Sequence, residues 1–475
     1  MKVLNSRTGE IEDFSPLHGN KVYMYVCGPT TYDYSHIGHA RTYVAYDVIA
    51  RYLRYKGYNV FFLMNITDVD DKIIDRARRE GVDPLELARK FEKYFFEDLN
   101  ALGINSINYF ARASEYIPEI IDLIRCLMGR GYAYETETGI FFSVEKFPHY
   151  GELSKRKPEE LTVHRVTPDS TKRNPADFAI WKKRESSDEI GWDSPWGYGR
   201  PGWHIEDAAI IMSHFGAQLD LHGGAIELIF PHHEAEVALA EAATGVRPFS
   251  KYWVHTGLLT VSGVKMSKSL GNFITIREAL SRVDAEALRL YFLMSHYRSP
   301  IDFDWSKLNQ AKSSLEYLYG VLEQVANTLT TNQVTEDEKT LLERIINLKS
   351  QFIAAMDDDF NTPEAVARLF DIAGEVNKLL NIQNALSGQA KNQILSTFRE
   401  LGKILGILQK ELERAEEIPL RDLIQLIIDI RSELRMNKQY GLADKIREKL
   451  KKLGIIIEDT AAGTRWKSVS SQQSG

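Results

Sequence analysis

Cysteine is scarce: the 475 residues hold only Cys27 and Cys126. That is too few for a disulfide framework and suits a reducing cytoplasm. No apolar run approaches a membrane span, and Met1-Lys2-Val3-Leu4 opens no signal-peptide core, so no membrane partner is expected. A Walker A loop and a G-x-G-x-x-G string are both missing, which weakens the ordinary kinase and dinucleotide readings. Positive charge is also short. The formal net charge of −7 does not advertise nucleic acid, yet from Arg421 onward eleven Lys/Arg face seven Asp/Glu, a local balance of +4. A basic end on an acidic body fits an RNA backbone and fits a solvated helix equally well.

What is present begins with His36-Ile37-Gly38-His39 and, about 230 residues on, Lys265-Met266-Ser267-Lys268-Ser269. The first string follows an apolar run, Val22–Val26, and precedes an amphipathic helical pattern through Val44, Val48, Ile49, Tyr52 and Leu53. It therefore sits at a strand-to-helix corner, where backbone N–H groups and the positive helix end favour phosphate. Gly38 lets a ligand approach the backbone. His36 and His39, spaced i, i+3, can share one face there. Lys265 and Lys268 share that spacing on a loop flanked by Gly263 and Gly271, which could close over a nucleotide and open again. Gly223 and Gly224, after a strand-like Gln218–His222, would let an adenosine lie against backbone. A chain of this length has room for two to four domains.

With Tyr25-Val26-Cys27-Gly28-Pro29-Thr30, Asn65-Ile66-Thr67-Asp68-Val69-Asp70-Asp71-Lys72, Gly199-Arg200-Pro201-Gly202-Trp203-His204-Ile205-Glu206 and Phe230-Pro231-His232-His233-Glu234, the chain resembles the class I aminoacyl-tRNA synthetases, and within them the cysteinyl-tRNA synthetases. The resemblance runs from Val22 to Trp466. It implies ATP-dependent activation of L-cysteine and its transfer to tRNA-Cys. His36, His39, Lys265 and Lys268 are then catalytic, with Gly38, His39, Gly223, Gly224 and Lys268 on ATP and Mg2+ accompanying the phosphates. Cys27, Gly28, Thr67 and Trp203 would hold the amino acid. The family usually shows a third glycine and an aspartate after Gly224, where this chain has Ala225 and Glu227.

The resemblance also implies one zinc per chain on Cys27, Asp207, His232 and Glu236, selecting the substrate by its sulfur. His232 and Glu236 are i, i+4 and face one way if helical. The second position is normally cysteine. Three readings of Asp207 stand open: an oxygen ligand to zinc, a bystander to three protein ligands, or an acidic residue in a helix's first turn with the metal lost. Asp68, Asp70 and Asp71 read as a strand end and helix cap. Cys126, between Ile124 and Leu127, reads as core.

The expected fold is α/β: a doubly wound, Rossmann-like parallel sheet with an insertion, then an α-helical bundle and a small C-terminal domain. The boundaries are 1–115 for the first catalytic half, 116–198 for the insertion and 199–255 for the second half. They continue with 256–306 for the lysine-loop and stem-contact region, 307–418 for a tRNA-binding bundle, 419–467 for an anticodon-binding unit and 468–475 for a disordered tail. In the anticodon unit Lys438, Lys445, Arg447, Lys449, Lys451 and Lys452 could meet phosphates, and Trp466 could stack on a base. A cytoplasmic monomer is expected.

Overall fold

The computed structural model describes residues 1–156, 169–184, 190–267, 270–412, 420–460 and 463–468. They fall into two compact units, Met1–Lys410 and Glu411–Gly475.

The first unit is built on five parallel strands in the order Ser250–Thr256, Leu219–Ala225, Lys21–Val26, Asn59–Ile66 and Tyr109–Arg112. Met24, Tyr25, Val26, Leu63, Met64, Leu219, Leu221 and Val254 are fully buried. Strands so buried read as near-continuous apolar runs, because helices cover both faces of a parallel sheet. Strand order reverses between Lys21–Val26 and Leu219–Ala225, and a crevice opens there beyond the carboxyl ends of the strands.

Gly223 and Gly224 lie within the strand Leu219–Ala225, rather than after it. Their low strand propensity misled the sequence reading. Here their small size is demanded by packing: a Cβ on Gly223 would stand 2.4 Å from the Tyr46 ring, and one on Gly224 2.8 Å from the His233 ring.

Helix Ile37–Tyr55 leaves the crevice and runs to the helical part of the unit. At its far end Tyr52 donates to Asp357 (2.8 Å), Tyr55 to Glu400 (2.9 Å), Lys56 to Asp357 (3.0 Å), and Arg51 to the Lys403 carbonyl (3.2 Å). The partners belong to or cap helices Glu336–Asp357 and Gly388–Leu405, which pack with Trp305–Asn327 and Thr362–Leu380. Asn361 caps the helix that contains Pro363. Below this junction Arg289, fully buried, donates to Asp47 (2.7 Å) and to the carbonyls of Leu405 and Leu102.

After helix Ile117–Gly129 the chain forms an antiparallel sheet of Ala133–Glu135, Gly139–Phe142, Phe178–Lys183 and Gly199–Pro201. The inserted sheet thus extends to Pro201, past the expected boundary at 198. Cys126 is exposed on that helix, not core. The apolar face is carried by Ile117, Ile120, Leu123, Ile124 and Leu127, and Cys126 falls beside that stripe.

In the second unit helices Leu420–Met436 and Tyr440–Lys452 precede the hairpin Ile455–Thr460 with Gly463–Ser468. Ile424, Ile428, Leu450 and Ile457 form its core, and Trp466 packs against that core instead of standing free. Lys438, Lys445, Arg447, Lys449, Lys451 and Lys452 are exposed. Ser468 ends a strand; the rest of the expected tail lies outside the described residues.

Candidate active site and metal centre

Helix Ile37–Tyr55 begins with an unusual cap. His36 Nδ1 accepts from the N–H groups of Gly38 (3.1 Å) and His39 (3.3 Å), while His39 Nδ1 accepts from the His36 N–H (3.3 Å). A backbone N–H can only donate, so both Nδ1 atoms are acceptors and each neutral ring carries its proton on Nε2. The rings stack with centroids 3.8 Å apart. Burial, then nearby Lys265, pushes the His36 pKa down to about 4, and burial holds that of His39 well below the ordinary range. Two uncharged donors at a helix N-terminus result.

Across from them, the Ser35 and Ile274 carbonyls exchange bonds with Ile276 and Ile37, tying the chain after the lysine loop to this corner. A Cβ on Gly38 would come within 3.2 Å of Met266 Cε, so the loop already lies over the helix start. Lys265 is held by the Glu227 carboxylate. Lys268 lies outside the described residues.

At the switch-point crevice the structure brings Cys27, Asp207, His232 and Glu236 together, all buried, with one ligand atom of each within 4.8 Å of every other. Cys27 follows the strand Lys21–Val26; Asp207 comes from helix Trp203–Phe215; His232 and Glu236 flank the start of helix Glu234–Thr244. His232 Nε2 lies 2.9 Å from Asp207 Oδ2 and 3.1 Å from Glu236 Oε1; Cys27 Sγ lies 3.5 and 3.9 Å from the same oxygens. Tetrahedral Zn2+ with bonds of about 2.0–2.3 Å needs donor separations of about 3.3–3.6 Å, so this set fits the ion with small adjustments.

The electrostatics agree. Burial, then Glu236 and Asp207, pushes the Cys27 thiol up; burial, then Asp207, pushes Glu236 up. His232 is lowered by burial but raised on balance by Glu236 and Asp207. A buried cluster of acids resists ionisation until a cation enters it.

Neighbouring polar groups aim these donors. His222 Nε2 holds Glu236 Oε2 at 2.7 Å, His204 Nδ1 meets His232 Nδ1 at 2.9 Å, and Asn65 Nδ2 donates to Asp207 Oδ1 at 2.7 Å. Trp203, half-buried, stacks on the His232 ring with centroids 4.3 Å apart. Gly28 abuts the carbonyl of Asn65 so closely that a Cβ would overlap it. The Thr67 hydroxyl donates to the buried Glu206 at 2.8 Å.

The sequence set His204 beside Trp203 at the amino-acid pocket, but missed Asn65, Glu206, His222 and His233, whose Nε2 lies 3.1 Å from Cys27 Sγ, as parts of the site. The available signal was polar residues closing apolar strands, together with six of twelve histidines between His204 and His255. Asp70 caps helix Asp71–Glu80, Asp68 accepts from Ser114, and Asp71 pairs with Lys182 and Arg200.

Fold and site define a class I aminoacyl-tRNA synthetase: residues 13–313 match the model of the tRNA synthetases class I (C) catalytic domain, and residues 351–409 match the DALR domain. The chain is 45% identical to the cysteine--tRNA ligase of Thermococcus gammatolerans and 47% to that of Thermococcus kodakarensis, each alignment covering 99% of both proteins. It belongs to the cysteine--tRNA ligase family. A methionyl-tRNA synthetase of Mycobacterium tuberculosis, solved with methionyl-adenylate, shares the fold at a TM-score of 0.60 and 17% identity, covering 81% of this chain and 89% of that one.

Proposed function

We propose that this chain activates L-cysteine with ATP and transfers it to tRNA-Cys, choosing the substrate through a zinc ion on Cys27, Asp207, His232 and Glu236. The observation that carries this reading is the four-donor buried cluster that begins at Cys27, together with two Nε2–H histidines at the start of the next helix, Ile37–Tyr55.

The reaction joins the cysteine carboxylate to the α-phosphorus of ATP and expels pyrophosphate, with Mg2+ on the phosphates. No protein nucleophile is required; the enzyme orients the reactants and stabilises charge on phosphoryl oxygens. His36 and His39 donate from Nε2, and Gly38 keeps the approach open. Lys265, released by Glu227, and Lys268 bring positive charge as the loop closes. Gly223 and Gly224 lie at the adenosine side. Zn2+ would hold the substrate sulfur as thiolate, which a serine hydroxyl cannot match. Trp203 bounds the amino-acid pocket beside Gly28 and Thr67.

Attachment to the 2′-hydroxyl of the terminal adenosine follows from class membership. The exposed lysines and Arg447 of the second unit meet RNA phosphates, and the helices after Trp305 carry further tRNA contacts. Among the described residues no helix is long and apolar enough to cross a membrane. We place the enzyme in the cytoplasm as a monomer; sedimentation checks the latter.

The deciding experiment is amino-acid-dependent ATP–pyrophosphate exchange, cysteine against serine, with zinc measured on the same sample. Exchange with cysteine at about one zinc per chain, lost on chelation and restored by Zn2+, is the expected result. Exchange without zinc overturns the metal–sulfur account.

A further inference from the structure

Asn65 is the next-to-last residue of the strand Asn59–Ile66 and is 1% exposed. In register with it, Val26 pairs with Met64, so the chain turning out at Cys27 and Gly28 passes directly beside the Asn65 amide. The amide is fully used. Oδ1 accepts from the Gly28 N–H at 2.6 Å; Nδ2 donates to Thr67 Oγ1 at 3.1 Å and to Asp207 Oδ1 at 2.7 Å. Its orientation is forced, because the Gly28 N–H only donates and therefore must meet the amide oxygen.

The consequence falls on Asp207. A carboxylate offers two oxygens and can chelate a cation through both, rotate between them, or turn away. With Oδ1 spent on Asn65, only Oδ2 faces the cluster, 2.9 Å from His232 Nε2 and 3.5 Å from Cys27 Sγ. A cysteine at the same place has a single sulfur donor and needs no such restraint. We infer that Asn65 is the positioning residue that makes Asp207 act as a one-oxygen metal ligand, standing in for the single-atom donor of a cysteine. The same amide, through Gly28 and Thr67, registers that ligand against the amino-acid pocket.

This inference rests on the zinc reading of the cluster, so the test separates the two. Wild type, N65S, N65D, D207C and the N65S/D207C and N65D/D207C pairs are purified. Zinc content, zinc affinity by chelator competition, the absorption of Co2+-loaded protein, thermal melting, and KM for cysteine and ATP are then measured. N65D is nearly isosteric and keeps the acceptor for Gly28, so it covers the case in which N65S folds poorly.

Groups that orient metal ligands typically contribute 10–100-fold in affinity. Expected, therefore, is a zinc affinity weakened about 10–100-fold in N65S or N65D. An altered Co2+ spectrum and a raised KM for cysteine should accompany it, with KM for ATP unchanged. In the D207C background the same changes should weaken zinc by less than about threefold, because the restrained oxygen is gone. Equal losses in both backgrounds would assign Asn65 a general supporting role through Gly28 and overturn the inference. Unchanged affinity in N65S and N65D alongside zinc-loaded wild type would overturn it too. Wild type that takes up no zinc would remove the reading beneath it, and the inference with it.

Discussion

Replacing His36 with asparagine separates two jobs held by one ring. Its Nδ1 caps helix Ile37–Tyr55 by accepting from the N–H groups of Gly38 and His39 at 3.1 and 3.3 Å. Asparagine is among the best N-caps, so H36N keeps the helix start, whereas H36A gives up about 1 kcal/mol. In a unit of about 400 residues, with an unfolding entropy of about 2 cal/mol/K per residue, that is a shift of about 1 °C in melting. Neither variant keeps the Nε2–H.

If that proton meets a phosphoryl oxygen only as charge builds there, its loss resembles removing one oxyanion-type donor, about 3–4 kcal/mol or 10²–10³ in rate. Cysteine-dependent ATP–pyrophosphate exchange reads the rate, and calorimetry reads the stability. The expected pattern is an equal rate loss of 10²–10³ in both variants, with only H36A melting lower. An H36N enzyme within tenfold of wild type refutes the donor role and leaves His36 as a cap.

The pH response has a definite sign. His36 is held near a pKa of about 4 against 6.5 in an unfolded chain, so acid protonates the unfolded state first. Its share of stability is whole above pH 6.5 and drains as pH falls toward 4, by up to about 3 kcal/mol; an inflection in exchange rate near pH 6.5 that H36N abolishes would contradict it. Replacing Arg289 with alanine leaves the buried Asp47 carboxylate only Arg51 and Ser106 as partners, and chemical denaturation should show a loss of about 1.5–3 kcal/mol, that of a charged hydrogen bond; a loss under about 1 kcal/mol would mean the pair is dispensable. Removing the Glu227 carboxylate (E227Q) frees Lys265 from its resting partner. Pairs this exposed contribute about 0.2–1 kcal/mol, so KM for ATP should fall by a factor of about 1.4 to 5 with KM for cysteine unmoved. A raised KM for ATP would show Glu227 working with the nucleotide instead.

The parallel sheet was legible because its strands are buried on both faces and carry apolar runs that need no partner to be noticed. His232 and Glu236 were legible together because i, i+4 spacing is local. Asn65 was not. Its meaning appears only when the neighbouring strand delivers Gly28 to one side of its amide and a helix 140 residues later delivers Asp207 to the other. The Glu227–Lys265 pair is non-local in the same way. Cys126 failed for the opposite reason: apolar neighbours in sequence suggested burial, but at 100° per residue Ile124 and Leu127 share a helix face that Cys126 does not. Gly223 looked like the end of a strand because the Tyr46 ring that requires its small size arrives from a helix far away in sequence.

The helix that starts at Ile37 and ends at Tyr55 is also a lever. Its 19 residues span about 28 Å. One end is fastened to the helical bundle by Tyr52, Tyr55 and Lys56, and the other carries the stacked imidazoles. A tilt of about 2° at the fastened end moves the imidazoles by about 1 Å, a displacement that can cost about a hundredfold in rate. Asp357 and Glu400, a full helix length from the imidazoles, therefore hold the fulcrum on which the aim of the catalytic groups depends.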